Sequence, residues 1–208
     1  MDFFSWHIYA REPERLAHRA AIARELMDKY GYTEAESILN EWNYVRGWED
    51  DFLYSVEAIH GMKGAAFVMA AMSVVQTTSI DMLMYYDTRP SVFNGVFDYY
   101  TYRPLKTYYP LLWVRDFMDG MTEIRAENGV DGVYTLAGVD GDGRLDCIIT
   151  YYTEDDSAPD ITLRLDTGRE GRYEIYLLDR EHDGELIDTT EDTVFLMKTQ
   201  TCIRVREI

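Results

Sequence analysis

The sequence predicts an α/β fold followed by an all-β one: parallel β/α units over residues 1–119, then an antiparallel β-sandwich over residues 120–208. Three observations carry this reading. Up to residue 119, aromatic and β-branched runs alternate with stretches of helical periodicity, the pattern of βαβ units on a parallel sheet. Beyond it, short strand-like runs follow one another with glycine-containing turns between them, the pattern of antiparallel pairing. Charge divides at the same place. Residues 1–119 hold 17 acidic and 11 basic side chains, net −6, whereas residues 120–208 hold 21 and 9, net −12.

The elements follow in order. Residues 2–9 (DFFSWHIY) are aromatic and strand-like. A helix comes next: Pro13 suits its first turn, Leu16, Ala20, Ala23, Met27 and Tyr30 recur at helical spacing, and Gly31 stops it. Residues 37–44 (SILNEWNY) form a second strand. Residues 51–75 form a long helical stretch that Gly61 and Gly64 can break. Residues 79–87 (SIDMLMYYD) form a third strand, and residues 106–118 a helix that Pro110 starts or kinks. In the second region, strands are expected at 133–139, 145–152, 161–166, 173–179, 194–198 and 202–205. The turns between them include Asp140-Gly141-Asp142-Gly143, Thr167-Gly168 and Asp183-Gly184.

Composition removes several function classes. With 47% hydrophobic and 28% charged residues, the 208-residue chain has a globular balance. A net charge of −18 repels polyanions, so nucleic acid and an anionic membrane surface are not expected partners; a neutral substrate is compatible. The longest apolar stretch, residues 65–75, falls short of the roughly 18 residues of a spanning helix. Residues 1–4 have no leader-like shape, and the sequence assigns no compartment. Cys147 and Cys202 lie in apolar strand runs and read as buried free thiols, with a cross-strand disulfide as the alternative. The four histidines (His7, His18, His60, His182) are scattered, and no phosphate loop or Gly-x-Gly-x-x-Gly is present; no cofactor or metal is expected. Asp140, Asp142 and Asp146 invite a calcium reading, but the twelfth loop position is Tyr151 rather than glutamate, which favours a hairpin turn. Glu154-Asp155-Asp156 and residues 179–192 read as solvated acidic loops.

The chemistry centres on Asn40-Glu41-Trp42-Asn43-Tyr44. Glu41 follows the apolar Ile38-Leu39 at the end of a strand, where a parallel β/α barrel builds its reaction face. Amides beside it suit sugar hydroxyls, and aromatic rings suit the C–H faces of a pyranose; Trp42, alternating away from Glu41, reads as packing under a helix. His7 and Tyr9 point to one side of the first strand, and Tyr85, Tyr86 and Asp87 end the third. A tyrosine hydroxyl beside a glutamate orients the carboxylate, as a glycosidase nucleophile requires.

These segments resemble the last strands of a retaining glycosidase barrel, that of the large clan with two catalytic glutamates. The closest resemblance is to glycoside hydrolase family 39, which includes β-xylosidases and α-L-iduronidases; similarity to arabinofuranosidases with an Asp-Glu-Trp-Asn segment is weaker. The resemblance covers the first 119 residues and, by architecture, the β-sandwich at 120–208. It implies strands 6–8 of a TIM-type (β/α)8 barrel, Glu41 as nucleophile, and His7, Tyr9, Asn40, Asn43, Tyr86 and Asp87 as substrate-binding residues for a carbohydrate. Phe93-Asn94-Gly95-Val96-Phe97 and residues 104–109 resemble the stretch that leads into the last barrel helix. Three departures stand out. The Asn-Glu-Pro of the family's acid/base is absent, the first five strands are absent, and Met84-Tyr85-Tyr86-Asp87 stands where a tryptophan segment is usual. The expectation is therefore a C-terminal part of a longer enzyme, inactive alone, whose partner is the missing N-terminal barrel half. The alternative is a non-catalytic carbohydrate-binding or structural module.

Overall fold

A computed structural model describes all 208 residues, Met1–Ile208. Three parallel strands, β1 (Phe3–Ala10), β2 (Glu36–Tyr44) and β3 (Met82–Tyr85), pair in sequential order. Helix α1 (Glu14–Lys29) crosses from β1 to β2 and buries Leu16, Ala20, Ala23 and Met27 of the stripe its periodicity predicts, whereas Tyr30, the fifth member, is its exposed C-cap residue. It ends where Gly31 takes a φ of +82°, a conformation glycine adopts without steric cost. Helices α2 (Phe52–His60) and α3 (Met62–Val75) form the second crossover. They meet at Gly61, as expected, and are bent by 77°. The third strand is shorter than predicted, four residues. It leads through a long loop to α4 (Tyr108–Met118), where Pro110 sits in the first turn and starts the helix without breaking a hydrogen bond.

Every ladder beyond residue 119 is antiparallel. Six strands form one sheet in the order β4 (Thr122–Ile124), β5 (Val133–Val139), β6 (Leu145–Tyr151), β11 (Thr201–Glu207), β8 (Tyr173–Leu178) and β9 (Asp183–Thr190). Strands β7 (Ile161–Arg164) and β10 (Val194–Met197) pair separately. All seven residues of β6 are buried. One face of this sheet packs on α3 and α4 through Leu136, Ile148, Leu178 and Cys202, and the other packs on the β7–β10 pair through Cys147, Ile149, Ile203 and Met197. α3 is buried almost all round between the parallel sheet and the six-stranded one. No single helix is long and apolar enough to cross a membrane.

Two expectations are corrected, and one strand was not expected. The acidic stretch 179–192 contains β9, whose mostly exposed pattern lacks the apolar alternation that marks a strand; it pairs only along β8, across two register shifts. β4, three exposed residues, gives no pattern either. Glu154 and Asp156 are paired rather than free loop charges: Arg46, Lys63, Tyr44 and Tyr54 converge on them from distant parts of the chain, and the neighbouring Tyr152 also reaches Glu154. Cys147 and Cys202 are free and buried, and burial pushes both thiols up to about 12. Asp140 and Asp146, at the two ends of the β5–β6 turn, go different ways. Asp140 accepts the N–H groups of Asp142 and Arg144, while Asp146 is buried against Arg204 at 2.6 Å.

Candidate active site

The site begins with a β-bulge. Trp6 pairs with Leu39 but His7 pairs with Glu41, so Asn40 is an extra residue in β2. A bulge re-aims the side chains that follow it. Leu39 and Trp42 therefore both enter the helix-side core, each fully buried, and Glu41 turns to the other face, half-buried. Trp42 packs against Phe67 of α3 and Tyr85, the structural role its alternation predicted.

Glu41 Oε1 accepts a 2.6 Å hydrogen bond from the Tyr9 hydroxyl. Burial, the bond to Glu41 and its charge raise the Tyr9 phenol well above its ordinary value, and Tyr86 and Asp87 add to the shift. Tyr9 is thus a fixed donor, protonated throughout the neutral range, that holds one carboxylate oxygen of Glu41 in place. His7 lies beside Glu41 in register, with an exposed ring, and Asn40 is exposed on the bulge. Tyr86 and Asp87 are half-buried just beyond β3. The Asp87 carboxylate is bound by the Arg89 guanidinium at 2.7 Å and by the Arg89 N–H.

Two expected contacts depart from their assignment. Asn43 is fully buried. Its amide donates to the Tyr85 hydroxyl (3.0 Å) and the Tyr86 carbonyl (2.8 Å), and its oxygen accepts the Tyr44 N–H. With its polar atoms engaged, it ties β2 to the end of β3 and presents nothing to a ligand. Tyr44, one of the flanking aromatics, is likewise fully buried, and its hydroxyl donates to Glu154.

An aromatic wall beside Glu41 escaped the sequence reading. Trp48 in the β2–α2 loop meets Tyr9 edge-on at 5.0 Å and stacks on Phe52 at 6.1 Å. Phe93 of the β3–α4 loop closes the cluster at 6.0 Å from Trp48 and 5.3 Å from Phe52. The available signal was a tryptophan alone in a polar loop, Arg46-Gly47-Trp48-Glu49-Asp50-Asp51.

No family model and no curated protein matches the sequence. Solved structures do match its fold. A glucosidase from Croceicoccus marinus aligns with a TM-score of 0.73 at 20% identity, over 99% of this chain and 54% of that one. A GH39 β-xylosidase from Caulobacter crescentus aligns at 0.68 and 12% identity, over 100% and 51%. An α-L-arabinofuranosidase from Thermotoga maritima aligns at 0.63 and 15%, over 100% and 53%. The chain thus has a glycoside hydrolase-like fold of mixed α/β architecture, and spans about half the length of these solved relatives.

Proposed function

We propose that this chain is the nucleophile-bearing part of a retaining O-glycoside hydrolase of the β-xylosidase type. In this reading, residues 1–119 supply strands six to eight of a (β/α)8 barrel and residues 120–208 its β-sandwich. The Tyr9–Glu41 hydrogen bond at the carboxyl ends of two adjacent parallel strands carries the reading. The open outer edges of β1 and β3 support it, because further parallel strands would join there. The half-length matches to three glycosidases agree.

Glu41 attacks the anomeric carbon, a bond forms from Oε2 or Oε1 to that carbon, and the glycosidic C–O bond breaks. The leaving oxygen takes its proton from an acid in the missing barrel half, and that group, then a base, takes a proton from the water that releases the sugar. Tyr9 orients Glu41; His7, Asn40, Tyr86 and Asp87 bind hydroxyls; Asn43 acts behind them by fixing Tyr86. A retaining site needs a second carboxyl group roughly 5–5.5 Å from the first. The nearby carboxylate, Asp87, is tied to Arg89, so the isolated chain hydrolyses no unactivated glycoside. The same observation favours the second reading, a carbohydrate-binding module without chemistry.

A 2,4-dinitrophenyl 2-deoxy-2-fluoro-β-xyloside separates them, because its leaving group needs no acid. The expected result is one fluoroxylosyl adduct, mapped by peptide mass spectrometry to Glu41 and absent in Glu41→Gln. No adduct, with xylo-oligosaccharide binding retained, would leave the binding module; neither adduct nor binding sinks both.

A further inference from the structure

We infer that Trp48 forms a second sugar subsite, stacking on the pyranose that adjoins the unit held at Glu41; the inference rests on the reading of Glu41 as a sugar-facing carboxylate. The chain has four tryptophans. Trp42 and Trp113 are buried and Trp6 is half-buried, whereas Trp48 is 57% exposed. With the partly exposed Tyr9, Phe52 and Phe93 it forms one contiguous aromatic patch, the kind of exposed apolar surface that marks a binding site. The ring is packed on several sides, stacked on Phe52, edge-on to Tyr9 and beside Phe93. A rigid aromatic surface loses little entropy when a ligand covers it. Tyr9 joins the two places physically: its hydroxyl holds Glu41 and its ring abuts Trp48. A chain of β-linked pyranoses has the required shape, polar at its rim where Glu41, His7 and Asn40 lie, and apolar on its C–H faces. A ligand long enough to reach Trp48 therefore spans at least two sugar units, or one unit and a flat aglycone.

Trp48 is also the reporter. Titration of the full chain with xylotriose should shift its tryptophan emission to the blue, and xylose should not. Trp48→Ala should weaken xylotriose binding about tenfold by calorimetry and leave xylose binding unchanged. Trp48→Phe should keep most of the affinity while losing the optical signal, and circular dichroism of both variants should match the parent. Equal xylotriose affinity in the parent and Trp48→Ala overturns the subsite, even if the fluoroxyloside labels Glu41. A Trp48-dependent shift without labelling keeps the wall as a binding surface and removes the chemistry. Failure of the folded parent to bind xylotriose overturns the subsite outright.

Discussion

At the scale of single residues, the proposed function turns on one hydrogen bond. Tyr9→Phe removes the donor to Glu41 and little else, because the ring remains between Trp48 and Phe93. Hydrogen bonds to charged groups contribute about 1.5–3 kcal/mol, so the rate of fluoroxyloside labelling should fall roughly tenfold to a hundredfold. Time-resolved intact-mass measurements would show it, and an unchanged rate would mean Tyr9 does not position the carboxylate. This pair was legible in the sequence because His7-x-Tyr9 and a strand-end glutamate are short-range patterns. The bulge at Asn40 was not: strict alternation puts Leu39 and Glu41 on one face, and only the pairing with β1 shows that they part. The fates of Asn43 and Tyr44 were hidden for a similar reason. Their partners, Tyr85 and Glu154, lie 42 and 110 residues away.

At the scale of elements, the α2–α3 elbow decides how the parallel units meet the antiparallel sheet. Gly61 was legible as a break. Gly64 has a different role, visible only in three dimensions: a Cβ there would lie 2.6 Å from the Ile59 carbonyl oxygen and 2.7 Å from that of Ala58. These are backbone atoms of α2, which cannot swing aside. Helix propensity alone favours Gly64→Ala by about 1 kcal/mol. Close approach opposes it, and overpacking of this kind costs about 1–3 kcal/mol. The net expectation is a lower midpoint in urea unfolding; a higher one would show that the helices can separate. The β9 edge strand marks the converse limit of sequence reading. Its strand character comes from the β8 backbone it pairs with, and its own side chains, mostly exposed and without apolar alternation, resemble those of a loop.

At the scale of the whole molecule, a charged cluster fastens the two regions together. Lys63, at the start of α3 and only 7% exposed, donates to Asp156 at 2.8 Å and to the Glu154 carbonyl at 2.7 Å. Arg46 reaches Glu154 at 2.5 Å and lies 3.7 Å from the Tyr54 ring centroid, while the Tyr54 hydroxyl donates to Asp156. Breaking a buried pair typically costs about 3–5 kcal/mol. Asp156 is half exposed and can recover water, so Lys63→Met should cost about 2 kcal/mol. Burial would raise the Asp156 carboxyl, but the hydrogen bonds from Lys63 and Tyr54 outweigh it and hold the group below its ordinary value. The folded chain therefore takes up this proton less readily than the unfolded one. The resulting stability is present above the unfolded value of about 3.9 and is lost as pH falls through the lower folded value. Urea unfolding at pH 7 and at successive steps below pH 5 should show a steep loss in the parent and a shallower one in Asp156→Asn. In Lys63→Met the loss should be shallower as well, since burial then raises the Asp156 carboxyl back toward its unfolded value and shrinks the difference on which pH acts. Parallel pH profiles for all three proteins would show that the cluster does not couple the two regions.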